Sequence, residues 1–219
     1  MKAEWQLLAE TENWVAVNKP SGLLSVPDRE GKEVSLKQLL QKKYGKIFAV
    51  HRLDRDTSGI LMLAKKRSAL VALHEQIREG RMDKRYVLVV HGAMPKTAKS
   101  MAIKQPLHKY LLPNGERRVK VDPQGQASHT NFRVLGWSHE GRCTVGEAQL
   151  KTGRTHQIRV HMKYIGHTLF NDWEYGGDRI LKGTIYTKYK QFVDNCFEIC
   201  PRCALHAATL GFIHPTTGE

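Results

Sequence analysis

The segment His51-Arg52-Leu53-Asp54-Arg55-Asp56-Thr57-Ser58-Gly59 interleaves two carboxylates with two arginines. Apolar runs flank it, Ile47 to Val50 and Ile60 to Leu63, and both read as buried strands. An acid held this way either closes an ion-pair network or does chemistry. Asp54 follows the first apolar run, so partial burial is expected, and Arg52, Arg55 or a distant arginine can keep it ionised. An ionised, desolvated carboxylate can act as nucleophile or base toward an electrophilic carbon. Taken alone, the loop favours the plainer reading, a structural Asp–Arg pair. Asp56 precedes Thr57-Ser58-Gly59 and reads as a turn residue, with Gly59 permitting an unusual backbone angle. Paired carboxylates for glycoside hydrolysis need two acids facing one bond across a fixed gap, and the turn residues count against that.

Other chemistries find less support. The chain has no Gly-rich phosphate loop, no G-x-S-x-G and no H-E-x-x-H, so a nucleotide cofactor is not expected. Cys196, Cys200 and Cys203 form C-x3-C-x2-C, which invites a zinc reading with His206 as fourth ligand. Reduced thiols in a cytoplasmic protein are the favoured reading, and no metal is expected. No apolar run approaches the length of a membrane span, and Met1 to Asn13 is too polar and acidic for a secretory signal.

The formal net charge over 219 residues is +14. Such an excess concentrates polyanions near the surface and speeds encounter with them, which points to nucleic acid. The cations cluster in three stretches. One runs Arg78, Arg81, Lys84, Arg85; the second Lys96, Lys99, Lys104, Lys109, Arg117, Arg118, Lys120; the third Lys151, Arg154, Arg159, Lys163.

The elements that must position these residues follow from local pattern. Trp14 to Asn18 alternates toward a strand, and Lys19-Pro20-Ser21-Gly22 turns the chain. Ser35-x-x-Gln38 has the form of a capping box, with Leu36, Leu39 and Leu40 as the buried stripe and Gly45 as the stop. Ser68 is expected to cap a second helix bearing Leu70, Leu73 and Ile77, with Gly80 near its end. Tyr86 to Val90, Thr130 to Leu135 and Thr144 to Leu150 read as strands. Thr155 is expected to cap a helix with Ile158, Met162 and Ile165 inward and Gly166 at its close. On that spacing His156, Arg159 and Lys163 share a face and present one basic edge. Pro95 to Gln126 is polar, basic and broken by prolines and glycines. It reads equally as solvated loops with short strands or as an arm tracking a phosphate backbone. Few helices and no βαβ rhythm predict an α+β domain with a mixed, largely antiparallel sheet.

Set against known families, three stretches stand out: Asn18-Lys19-Pro20-Ser21-Gly22-Leu23-Leu24, His51 to Gly59, and Lys151-Thr152-Gly153-Arg154-Thr155-His156-Gln157-Ile158-Arg159-Val160-His161. With Lys84-Arg85-Tyr86, Leu205-His206-Ala207 and His214-Pro215, in this order, the chain resembles the RluA family of RNA pseudouridine synthases. The resemblance implies that family's catalytic fold, with flanking helices and loops, in a single domain over residues 1–219 made of two subdomains sharing one sheet. Only about a dozen residues precede the region of resemblance, so a separate N-terminal RNA-binding domain is not expected.

The resemblance assigns roles residue by residue. Asp54 is the catalytic carboxylate. Arg52 occupies the space vacated when the target nucleotide flips out, Tyr86 stacks on the base, and Arg159 pairs with Asp54. His51, Lys19, Arg154 and His156 join Arg52 on the RNA-binding side. The implied reaction isomerises uridine to pseudouridine in structured RNA, tRNA or 23S rRNA, without cofactor or metal, in a cytoplasmic monomer. One stretch departs from the family's G-H-P-x-x-G-D: here it reads Gly166-His167-Thr168-Leu169-Phe170-Asn171-Asp172, which puts the geometry of that turn in question. The rivals are a non-catalytic RNA-binding or folding protein on the same scaffold, and a metal-dependent nuclease acting through Asp54 and Asp56.

Overall fold

The computed structural model describes residues 4–28, 31–95, 97, 99–138, 142–181 and 187–218; Lys96 of the second basic run lies outside them. The elements begin with β1 (Gln6–Glu10), β2 (Trp14–Lys19), α1 (Leu36–Tyr44), β3 (Phe48–Ala49), β4 (Ser58–Ala64), α2 (Arg67–Arg78) and β5 (Asp83–His91). They continue with β6 (Ser100–Ile103), β7 (Leu107–Leu111), β8 (Arg117–Val121), β9 (Thr130–Trp137) and β10 (Cys143–Leu150). Then come α3 (Gln157–Tyr164), a 3-10 turn (Trp173–Tyr175), α4 (Thr187–Ile199) and β11 (Leu205–Gly211). The chain divides into two compact units, residues 1–84 with 206–219, and residues 85–205.

In the first unit the strand order is β1-β2-β4-β11, with β3 also on β4. All these pairings are antiparallel except β11 on β4, which is parallel. Strand period puts Trp14, Ala16, Met62 and Ala64 on one face, where they pack against Ala69 and Leu73 of α2. Helix α1 starts as its sequence requires: the Ser35 amide donates to Gln38 Oε1 at 2.8 Å, and Gln38's amide returns to Ser35 Oγ. Gly45, at φ 69°, ends it. Helix α2 corrects one expectation. Ser68 lies inside the helix, and Lys66 stands at the cap without a side-chain bond. The Lys65 amide is already tied to the Asn13 carbonyl at 2.8 Å, so the chain leaves β4 in position to coil earlier.

In the second unit β5-β10-β9-β6 lie side by side, and β10 and β6 both run antiparallel to β9. The basic stretch between Pro95 and Gln126 supplies β6 and an antiparallel hairpin, β7–β8. Leu107 and Val119 anchor that hairpin against Val160 of α3 and Tyr175. Helix α3 corrects a second expectation. Its cap is His156, at φ 52°, not Thr155. No side chain caps the helix; Gln157 instead ties down the turn before it, its Oε1 accepting from the Arg154 amide at 3.0 Å and from Thr152 Oγ1 at 2.8 Å. Mixed pairing with few helices makes the fold α+β, as expected.

Gly59 is the tightest point beneath the Asp54 loop. It sits at φ 114° beside Ala207, and an added Cβ would lie 2.3 Å from the Ala207 carbonyl oxygen. Both strain and clash act there, so Gly59→Ala should destabilise by roughly 3 kcal/mol or more. Thermal unfolding reads this directly, and a melting point unchanged from wild type would refute it.

Candidate active site

The Asp54 loop is built on a backbone template. Between β3 and β4 the chain turns with the Thr57 amide donating to the Asp54 carbonyl at 3.2 Å. Residues 19–25 grip this turn from one side. Ser25 Oγ accepts from the Leu53 amide at 3.0 Å and donates to the Leu53 carbonyl at 2.7 Å. Ser21 Oγ donates to the Asp56 carbonyl at 2.8 Å, and the Gly22 amide to the Arg55 carbonyl at 2.9 Å. The backbone on both sides of Asp54 is thereby held while its half-buried carboxylate points from a fixed frame.

Lys19 completes the grip from within. Its side chain is wholly buried, and Nζ donates to the carbonyls of Pro20, Leu23 and Arg55 at 2.8, 2.7 and 2.9 Å. Those bonds use all three ammonium protons. Burial pushes its pKa down to about 8, against the pull of Asp56 and Asp54. His51 is also turned inward. Its Nε2 accepts from the Met62 amide at 3.2 Å, and burial, helped by the charge on Lys84, lowers its pKa to about 4. The ring is therefore neutral at physiological pH, with its proton on Nδ1. Arg52 behaves differently. It is exposed, and no hydrogen bond or ion pair to the described residues holds its guanidinium. Arg55 is spent on an exposed pair with Glu33 at 2.8 Å. Below the loop, Ser58 Oγ meets His206 Nδ1 at 2.8 Å, which gives His206 a role apart from the cysteines. Cys196, Cys200 and Cys203 are free thiols. Among the described residues no cluster of three or more His, Cys, Asp or Glu could hold a metal ion.

In the second unit Arg159 is the organising cation, only 3% exposed. It makes a bidentate pair with the fully buried Asp172, Nε to Oδ2 at 2.8 Å and Nη2 to Oδ1 at 2.6 Å. The same Nη2 reaches Glu174 Oε2, and Glu174 Oε1 accepts from Arg118 at 2.5 Å. Burial works against the Arg159 charge, but the hydrogen bonds and charges of Asp172, then Glu174, more than offset it and raise its pKa. Tyr175 lies beneath. Its hydroxyl meets His156 Nδ1 at 2.8 Å and accepts from the Val119 amide at 3.3 Å, while burial raises its pKa. Arg159 and Lys163 stand 4.9 and 5.6 Å from its ring. His156, Arg159 and Lys163 do share one helix face, but that face covers Tyr175. The expected solvent-facing basic edge is corrected: Arg159 is buried by its carboxylates, and Lys163 is the exposed member. Arg154 is exposed, its Nε 3.2 Å from the Ala127 carbonyl, and Tyr86 is buried on β5.

A family model described as RNA pseudouridylate synthase matches residues 13–164, more than half of the chain. The chain belongs to that family. Among curated relatives it is similar to "Ribosomal large subunit pseudouridine synthase C" of Buchnera aphidicola, 37% identical over 97% of this chain and 64% of that protein. To the protein of the same name from Salmonella typhimurium it is 40% identical, over 97% of this chain and 63% of the other. The chain thus spans less than two thirds of the length of these relatives. Among solved structures it resembles "Human RNA Pseudouridylate Synthase Domain Containing 1", with a TM-score of 0.73 at 23% identity, covering 99% of this chain and 80% of that one. The fold is that of a pseudouridine synthase.

Within this synthase family the stretch after α3 departed from pattern, and its geometry is now plain. Asn171 adopts φ 56°, the left-handed region a glycine would occupy, which asparagine tolerates better than most residues. Its Nδ2 donates to the Cys200 carbonyl at 2.8 Å and its amide to the Gly177 carbonyl. The turn survives, and Asp172 reaches Arg159. Sequence reasoning passed over Asp172, Glu174 and Tyr175. The aspartate ending the motif was the available signal for the first; the other two became legible only when the turn folded against α3.

Two outcomes test the loop. Lys19→Met takes the ammonium donor from the Pro20 and Leu23 carbonyls and leaves Arg55's with Gly22 alone, which should cost on the order of 2 kcal/mol or more. Thermal melting should fall, and amide exchange at Gly22 and Thr57 should quicken. A variant that melts like wild type but binds RNA less tightly would instead place Lys19 among the RNA contacts. For His51 the folded chain holds the proton more weakly than the unfolded one, so protonation favours unfolding. Its stabilising contribution is full above pH about 6.5 and is lost as pH falls toward about 4. His51→Gln keeps an acceptor for the Met62 amide and should flatten that limb of the stability–pH curve; an unchanged slope counts against it.

Proposed function

We propose that this protein isomerises uridine to pseudouridine in structured RNA, with Asp54 as the catalytic carboxylate. The observation carrying this reading is the grip on Asp54's neighbours by Lys19, Ser21, Gly22 and Ser25, which holds a half-buried acid in a defined place. A merely structural carboxylate would not require a frame fixed from both sides. The names of the relatives favour large-subunit ribosomal RNA as substrate; transfer RNA remains within the proposal.

The reaction breaks the N1 glycosidic bond, turns the uracil, and rejoins it through C5, with no net change in composition or redox state. A carboxylate is required near the anomeric carbon, either as nucleophile or to remove the 2′ proton, and Asp54 supplies it. Tyr86 and Arg159 complete the catalytic set, Tyr86 stacking on the base. Extruding a uridine from folded RNA costs roughly a few kcal/mol. Arg52, exposed and uncommitted, is suited to fill the gap left behind, which offsets part of that cost. Arg154 and His156 stand on the RNA side, as does the backbone held by His51 and Lys19. The reading needs no cofactor or metal, and it places the protein in the cytoplasm as a monomer.

Asp54→Ala should lower pseudouridine formation by on the order of a thousandfold or more while RNA affinity changes little. Mapping pseudouridine in ribosomal and transfer RNA, with binding measured in parallel, reads both. Full activity in the variant would remove Asp54 from its role. Wild-type protein that binds RNA but converts none would favour the non-catalytic reading, and chelator-sensitive cleavage would favour the nuclease.

A further inference from the structure

The β7–β8 hairpin carries a surface that the isomerisation chemistry does not use. Its register pairs His108 with Lys120 and Tyr110 with Arg118, so these four share one face. The opposite face is the anchored one, through Leu107 and Val119. On the free face Tyr110 is 37% exposed, and Trp173, next to Tyr110's cross-strand partner Arg118, is 56% exposed. Each ring has a cation next to it. Lys120 Nζ stands 6.0 Å from the Tyr110 centroid, and the Arg118 guanidinium 5.4 Å from that of Trp173.

Exposed rings alternating with cations match the chemistry of unpaired nucleotides, whose bases offer flat faces and whose phosphates need positive charge. A protein partner would account for the rings but not for the cations set among them. Carboxylates are present: Asp122 pairs with Lys120 at 2.9 Å, and Glu116 with Arg118 at 3.0 Å. The Lys120 side chain is 54% exposed and can turn from Asp122 to a phosphate, whereas Arg118, held by Glu174, keeps its place over Trp173. Lys109 and Arg117 are exposed too, but the same register puts them on the other face, outside the platform. Glu174 links the surface inward, since it accepts from Arg118 and also meets Arg159.

We propose that this face of the hairpin, with Trp173, is a stacking platform for unpaired RNA nucleotides. The inference rests on RNA as substrate and adds to it a preference for looped or single-stranded segments over continuous duplex. The platform holds nucleotides other than the one modified.

The test uses the full chain with a short single-stranded RNA and the fully paired duplex of the same sequence. Affinities are measured over a range of salt for wild type, Tyr110→Ala, Trp173→Ala, the double variant and Trp173→Phe. Thermal melting establishes that each is folded. Each ring removed should weaken single-strand binding about tenfold, leave duplex binding nearly unchanged, and leave the salt slope alone. Trp173→Phe should restore most of the loss. Lys120→Ala should instead flatten the single-strand slope by about 0.7. Ring variants that bind single strands like wild type, or that lose both RNAs equally, would overturn the platform. Pseudouridine formation by wild type is scored separately: ring effects without any modification would keep the platform and remove the proposed reaction.

Discussion

The hydrogen bonds from residues 19–25 to the backbone around Asp54 are the constraint on which the shape of that loop depends. Loops of this kind, rich in charge and turn residues, do not hold one shape by their own propensities. Here Ser25 satisfies both backbone groups of Leu53, while Lys19, Ser21 and Gly22 satisfy the carbonyls of Arg55 and Asp56. Two segments far apart in sequence thus behave as one rigid piece. The buried ammonium is the costly element. It is tolerated because three carbonyls receive its three protons, whereas an unpaired charge at that depth would not be.

The second unit solves a similar problem with the opposite charge balance. Burial penalises the Arg159 charge, and Asp172 and Glu174 offset that penalty. Bidentate pairing with Asp172 fixes the plane of the guanidinium as well as its charge. Glu174 extends the network to Arg118, so the hairpin and α3 share a carboxylate. Tyr175 closes the arrangement from below, and its hydroxyl ties α3 to β8 through His156 and Val119. The left-handed turn at Asn171 brings Asp172 to this place, so a change in the family pattern is absorbed by a residue with similar conformational tolerance.

Much of this was legible beforehand where the determinant is local. The α1 capping box involves residues three apart, and the Gly45 stop needs only a backbone angle. Asp56 reads correctly as a turn residue because Thr57 and Gly59 follow at once. Expectations failed where a distant partner replaced the local one. Asn13 holds Lys65 just before α2, which starts ahead of Ser68, and Gln157 fixes the turn before α3, which starts after Thr155. The basic edge of α3 was drawn with the right residues but the wrong surroundings, since periodicity says which residues share a face and not what covers it.

By itself the sequence determined the ordered motifs, and with them the family, and the positions of α1, α2 and α3 to within a residue or two of their starts, but not α4. These are matters of residue type and short spacing. Only the tertiary structure decided that Lys19 is buried on carbonyls, that His51 is neutral, and that Arg159 is clamped by Asp172 and Glu174. Each depends on desolvation and on partners brought near by folding, and neither is encoded in the spacing of adjacent residues. The hairpin's exposed rings belong to the same category: a tyrosine and a tryptophan far apart in sequence became one surface when β8 and the turn after α3 met over Arg118.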